Sequence, residues 1–178
     1  GRTPPCVDAI IASGIENVVI GALDPDTRVD GSGAEQLRRA GIEVSHGVIA
    51  AEVEALDPGY FHHRRTGLPQ ITLKLATTLD GQIAAADRTS QWITGTEARQ
   101  DGHRLRAEAD VVIVGAGTLL DDDPGLDVRL RGYRGRQPRP VVIAGGRPLS
   151  PDAALFRRDP LIYTSELCDL PAEQVIVP

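Results

Sequence analysis

Residues 71–129, ITLKLATTLDGQIAAADRTSQWITGTEARQDGHRLRAEADVVIVGAGTLLDDDPGLDVR, decide how the rest of the chain is read. They contain Lys74, the lone lysine among 19 lysines and arginines, and Trp92, the one tryptophan. From Ile71 to Leu79, Leu73 and Leu75 fall on one face and Thr72 and Lys74 on the other, which is the period of a strand. Thr94 to Ala107 predicts a helix, with Thr94 or Thr96 as N-cap and Glu97 in the first turn. Asp110 to Val114 predicts a short buried strand. Gly115-Ala116-Gly117-Thr118 then turns into a short helix before Asp121-Asp122-Asp123-Pro124. A Gly-x-Gly between strand and helix can offer N–H groups to phosphate, but the full dinucleotide fingerprint needs a third glycine and a distant acid.

Outward from this stretch the pattern is alternating α/β. Upstream, Cys6 to Ser13 predicts a helix entered through Pro4-Pro5 and ended by Gly14. Asn17 to Leu23 predicts a buried strand followed by an Asp24-Pro25-Asp26 turn. Gly33 to Ala40 and Ile42 to His46 predict a second helix and strand, and Ala50 to Arg65 a helix broken near Asp57-Pro58-Gly59. Thr66-Gly67-Leu68-Pro69 has linker composition, so the chain divides into units 1–66 and 67–178. Downstream, Leu130 to Pro140 reads as a mobile arginine- and glycine-rich surface loop. Val141 to Ala144, Leu161 to Tyr163 and Gln174 to Val177 read as strands.

The 178 residues are 41% apolar, enough for a real core. A net charge of -6 and a pI near 5.2 argue against nucleic acid as the main partner, because phosphate neutralisation needs a basic face. No apolar run approaches the roughly 20 residues that span a bilayer, and the start lacks a basic segment followed by an apolar one. The expectation is a soluble, cytoplasmic protein with no membrane partner. Cys6 and Cys168 lie too far apart for a secreted disulfide framework, so a reducing compartment is expected. There is no methionine, the chain opens on Gly-Arg-Thr-Pro-Pro-Cys and it stops on the apolar run 175–178. It reads as an internal fragment.

Several residues can carry chemistry, each against a plainer reading. Lys74 on a strand face can donate to a carbonyl or imine; the alternative is a solvated lysine. Ser90-Gln91-Trp92-Ile93-Thr94 joins a planar apolar surface to hydroxyls; the alternative is a core tryptophan beside a cap. Arg106 and Arg129 can fork onto a phosphate, or simply be solvated. Asp121, Asp122 and Asp123 repel and should splay. Asp122 can accept from ribose hydroxyls, or belong to a solvated acidic turn. His46, His62, His63 and His103 have no partner at zinc or triad spacing and read as structural or exposed. Cys6, at a helix start, is the one place where a thiolate is favoured.

Lys74-Leu75-Ala76, Leu79-Asp80-Gly81, Ser90 to Thr94, Arg106, Gly117-Thr118 and Asp122-Asp123-Pro124-Gly125-Leu126 together resemble the bifunctional deaminase-reductase of riboflavin biosynthesis. The likeness runs from Gly1 to about Gly145. It implies the C-terminal part of a cytidine-deaminase-like domain (1–66) followed by the N-terminal part of a dihydrofolate-reductase-like domain (67–178). Gly-Arg-Thr-Pro-Pro-Cys resembles the second half of the deaminase zinc motif, which would make Cys6 a zinc ligand. The His-x-Glu and the preceding cysteine of that motif are absent, so this chain alone is not expected to deaminate.

By the same resemblance Ala76, Trp92, Thr94, Thr118 and Asp122 would contact NADPH. Ser90, Arg106, Leu126 and Arg129 would hold a phosphoribosyl-aminopyrimidine, with Lys74 near its reacting end. The implied enzyme is a hydrolase and an NADP-dependent oxidoreductase in one, acting as a homo-oligomer. Two departures stand out: Ala144-Gly145 replaces the family's Asp-Ser, and the family's late glycine-rich cofactor segment lies beyond Pro178. Two other readings stay open. One is a stand-alone pyrimidine reductase; the other is a catalytically dead binding or oligomerisation module.

Overall fold

The structure, a computed structural model, describes every residue except 1–4, 27, 30, 88, 91 and 178. Pro4 of the predicted helix entry, the Thr3-Pro4 pair of the zinc-like motif, Gln91 and Pro178 therefore lie outside the described residues. The fold is mixed α/β with parallel sheets, in two compact units, Gly1–Leu73 and Lys74–Pro178. Among the described residues no helix is long and apolar enough to cross a membrane.

The first unit runs α1 (Cys6–Ala12), β1 (Asn17–Ile20), α2 (Ser32–Arg39), β2 (Glu43–His46), α3 (Ala50–Leu56) and α4 (Pro58–Thr66). β1 and β2 pair in parallel, Asn17 opposite Glu43 through Ile20 opposite His46. Parallel neighbours need a crossover, and α2 provides it. Leu37 of α2 buries against Val7 of α1 and Ile42, which makes a small core. The break at Asp57-Pro58 has a clear cause. Asp57 caps α4 by accepting the Tyr60 N–H at 3.1 Å, and Pro58 sits in the first turn, where a missing N–H costs nothing.

The turn after β1 is tied to α4. Asp24 accepts the Tyr60 hydroxyl at 2.7 Å, and buried Asp26 takes the Arg28 fork at 2.6 Å with Arg64 at 3.4 Å. The hydrogen bonds from Arg28 come first in holding the Asp26 carboxyl far below the usual carboxylate range. The expected buried strand over 17–23 is shorter than predicted and only half covered. Val19 is 68% exposed, because this two-stranded sheet has helices packed on one face.

The second unit runs α5 (Thr96–Glu108), β3 (Val111–Gly115), α6 (Ala116–Asp122), β4 (Arg139–Gly145), a 3-10 helix (Ala154–Arg158), β5 (Leu161–Thr164) and β6 (Glu173–Ile176). Its four strands lie in the order β3-β4-β5-β6, all parallel. Val142, Ala144, Leu155 and Ile162 form the core with Leu119 of α6. β4 is the best buried strand, as its unbroken apolar run suggests. β3 is an edge strand rather than the buried one expected. Val114 reaches the core, whereas Val111 and Ile113 face out.

Three further expectations are corrected. Residues 71–79 form no ladder among the described residues, and Ile71, Leu73, Leu75 and Leu79 are exposed. Alternation fixes which way side chains point, but a strand also needs a neighbour for its N–H and C=O groups, and no described segment supplies one. α5 is capped by Gly95 with no side-chain bond, while Thr96 is already helical and its hydroxyl accepts from Arg99 at 3.0 Å. The Leu130–Pro140 stretch is a surface loop only in part. The Tyr133 hydroxyl donates to the Arg136 carbonyl at 2.6 Å, Gln137 bonds Val128 twice, and Pro138 and Pro140 are fully buried.

Candidate functional site

The loop after α6 is held in an unfavourable conformation. Asp123 has φ 38° and Leu126, only 3% exposed, has φ 53°. A non-glycine residue in the left-handed region costs about 1–3 kcal/mol and persists only where its surroundings over-determine it. Here they do. Asp123 Oδ1 accepts the Ala154 N–H at 2.8 Å, and the Gly125 carbonyl accepts from Arg158 at 2.7 Å. The Asp127 carbonyl accepts from Arg106 at 3.2 Å. The Gln137 side chain takes the Val128 N–H at 2.7 Å and returns a bond to its carbonyl at 3.2 Å. The Arg129 N–H donates to His103 Nδ1 at 3.3 Å.

These clamps gather positive charge. Arg106, half-buried in the last turn of α5, and Arg129 both reach Asp127, the first at its backbone carbonyl and the second with Nε 3.7 Å from its carboxylate Oδ1. Burial, then the Arg129 charge, pushes the Arg106 guanidinium below the ordinary arginine range; Asp127 opposes this and Arg158 adds to it. The His103 imidazole is pushed down by burial first, then by Arg106 and Arg129. Arg158 is anchored by the Gly125 and Pro138 carbonyls. An anion with several acceptor oxygens would relieve this like-charge crowding.

Lys74 is exposed, and its Cε lies 3.6 Å from where a Cβ on Gly102 would stand. Its aliphatic stem therefore passes α5 one residue from His103. Arg106, Leu126 and Arg129 are thus brought together, with Lys74 against the same helix.

The remaining predicted residues lie on separate elements. Ser90 is half-buried, and Ala76 is half-buried in the extended segment. Trp92 is not a core residue: it is 71% exposed with the Arg99 guanidinium 4.4 Å from its ring centroid. Arg99 also donates to the Thr94 carbonyl at 2.6 Å and so holds the turn into α5. Thr118 and Asp122 are exposed on α6.

The carboxyl ends of β3, β4 and β5 bring Gly115–Thr118, Gly145–Arg147 and Thr164–Ser165 to one edge of the sheet. A Cβ on Gly117 would stand 3.6 Å from the Arg147 guanidinium. The Gly145 carbonyl is occupied, accepting the Thr164 hydroxyl and the Ser165 N–H, both at 3.0 Å. Open α/β sheets bind nucleotides at such an edge, so these residues fit a dinucleotide cofactor.

Cys6 is the exposed first residue of α1, and both cysteines are free. Among the described residues no group of three or more His, Cys, Asp or Glu side chains could hold a metal ion, so the residues present do not fit zinc. Sequence reading missed Arg99, Gln137 and Arg158, and it set His103 aside. The spacing of His103 and Arg106, three apart on one helix face, was the signal that could have found the histidine.

Residues 69–176 match the family described as RibD C-terminal domain. The chain is 48% identical over 129 residues to the riboflavin biosynthesis protein RibD of Escherichia coli K12, covering 72% of this chain and 35% of that protein. It is 44% identical over 172 residues to the same-named protein of Mycobacterium tuberculosis H37Rv, covering 93% and 50%. Among solved structures it resembles a diaminohydroxyphosphoribosylaminopyrimidine deaminase/5-amino-6-(5-phosphoribosylamino)uracil reductase from Thermotoga maritima, with a TM-score of 0.88, 36% identity, and coverage of 99% of this chain and 51% of that one. It also resembles RibD of Acinetobacter baumannii, with a TM-score of 0.90, 33% identity, and coverage of 100% and 52%. The chain spans about half or less of the length of these relatives. With the match extending over most of the second unit, this chain belongs to the RibD C-terminal domain family.

Proposed function

We propose that this chain carries part of the site at which 5-amino-6-(5-phosphoribosylamino)uracil is reduced to its ribitylamino product by NADPH, a step of riboflavin biosynthesis. The observation that carries the proposal is the crowding of Arg106 and Arg129 about Asp127, with Arg158 behind them. Guanidinium forks match phosphate oxygens, and a phosphate end held there gives remote binding energy with which to orient the sugar. The Thermotoga relative is named for this reductase activity, which supports the same reading.

In this reading Arg106 and Arg129 grip the phosphate, while Ser90 and the Leu126 backbone line the ribose. Ala76, Trp92, Thr94, Thr118 and Asp122 contact the cofactor. NADPH supplies a hydride to the ribose C1 of the open imine form. The Lys74 ammonium donates a hydrogen bond to the imine nitrogen and gives it the proton that balances the added hydride. The dihydrofolate-reductase-like part is 67–178. The preceding 1–66 is the end of a pyrimidine deaminase domain, whose zinc chemistry belongs to the intact protein and not to Cys6 alone.

The test is to mix the intact protein with NADPH and the aminouracil phosphoribosyl substrate and follow nicotinamide absorbance. Oxidation that Lys74→Ala slows is expected. No oxidation, with cofactor affinity unchanged in Lys74→Ala and Trp92→Ala, overturns the reading.

A further inference from the structure

His103 lies outside the residues assigned to the site by resemblance, yet its ring accepts from the loop on which Arg129 sits. Its Nδ1 takes the Arg129 N–H at 3.3 Å, so the imidazole proton resides on Nε2. The groups that face it are Arg106 on its own helix, and Arg129 and Asp127 on the loop. Lys74 passes the neighbouring Gly102, and Arg158, bonded to the Gly125 and Pro138 carbonyls, adds its charge to that on Arg106. Residues 123–128 are held by Arg158, Arg106 and Gln137 and by the Asp123 bond to the Ala154 N–H. His103 is bonded to the backbone of the next residue, Arg129, whose guanidinium is mostly exposed.

We infer that His103 is a positioning residue for phosphate capture: by accepting the Arg129 N–H it sets the direction in which Arg129 leaves the loop, and so the register of Arg129 with Arg106. The inference rests on the reading of this cluster as the phosphate end of the substrate site. Three features support it beside the bond itself. A neutral imidazole is the form that can accept, and burial and the two arginines favour that form, against the pull of the Asp127 carbonyl and carboxylate. Arg129 is mostly exposed and reaches its nearest carboxylate only at 3.7 Å, so its own side chain does little to fix its direction. Protonating Nδ1 would set two N–H donors against each other and add a further positive charge to the cluster.

The test uses the intact protein and ribose 5-phosphate as the probe, with NADPH as a parallel ligand, by titration calorimetry. In His103→Asn the amide oxygen sits close to the Nδ1 position and can still accept; in His103→Gln it sits farther out, and in His103→Ala nothing accepts. Expected is about a tenfold loss of ribose 5-phosphate affinity in His103→Ala and His103→Gln, the worth of one hydrogen bond of ordinary strength. His103→Asn should recover it to within about twofold, and NADPH affinity should hold in all three. Equal ribose 5-phosphate affinity in wild type and His103→Ala overturns the inference alone, as does a parallel loss for both ligands that His103→Asn fails to rescue. Failure of the wild-type protein to bind ribose 5-phosphate overturns the reading of the cluster itself, and the role of His103 with it.

Discussion

Two stretches of the chain, 71–79 and 123–129, make opposite use of their surroundings. Residues 71–79 have a regular apolar alternation and no ladder among the described residues, and Leu73 is 80% exposed. Residues 123–129 have no regular pattern and two residues in the left-handed region, yet side chains of α5, of the 3-10 helix and Gln137 hold their backbone. Local regularity did not secure structure, and local irregularity did not prevent it. What separates the two is whether distant groups satisfy the backbone, since a buried polar group without a partner costs about as much as a strained dihedral.

The largest expected effect contrasts the core with the uncovered stretch. Leu155→Ala removes a fully buried side chain and should cost about 2–5 kcal/mol, whereas Leu73→Ala should fall within about 0.5 kcal/mol. Denaturant midpoints read both, and a large cost for Leu73→Ala would mean that the 71–79 stretch is packed in solution. Next comes Arg158→Ala, which leaves the Gly125 and Pro138 carbonyls without their donor and should cost about 1–3 kcal/mol. Backbone couplings should then show Leu126 leaving the left-handed region; an unmoved Leu126 would mean that the loop does not depend on this clamp. Gln137→Ala should cost about 1 kcal/mol and speed hydrogen exchange at the Val128 amide, and unchanged exchange would remove Gln137 from the set.

The smallest effect concerns pH. The folded chain holds the His103 imidazole below its ordinary value of 6.5, so on acidification the unfolded chain takes up the proton first. Stability should therefore fall as pH drops below about 6.5 and stop responding to this group once the folded form is protonated as well. His103→Asn should flatten that part of a stability profile. A separate loss below about pH 4 belongs to Asp26, whose depressed carboxyl stabilises the fold only while it is ionised.

Much of the element order was legible because it is local. Asp57-Pro58 announces a helix start, and the unbroken apolar run of β4 announces a buried strand. The family motifs pointed to Arg106, Leu126 and Arg129, which the fold brings together. The supporting residues were not legible for a physical reason: Arg158 reaches Gly125 across 33 positions, Asp123 reaches Ala154 across 31 and Arg129 reaches His103 across 26. No periodicity encodes such pairings. Trp92 shows the converse, since a lone aromatic beside threonines suits a core or a surface equally, and only its exposure and the Arg99 over its ring distinguish them.

The central claim, that the loop and α5 build a phosphate site, is tested most directly by comparing ribose 5-phosphate with ribose in calorimetric titrations of the intact protein and of Arg106→Ala combined with Arg129→Ala. Measurable binding of the phosphorylated sugar and little binding of ribose are expected, with a loss of about two orders of magnitude for ribose 5-phosphate in the double variant, as two charge-assisted contacts require. Equal affinity for the two sugars, or ribose 5-phosphate binding that survives loss of both arginines, would contradict it.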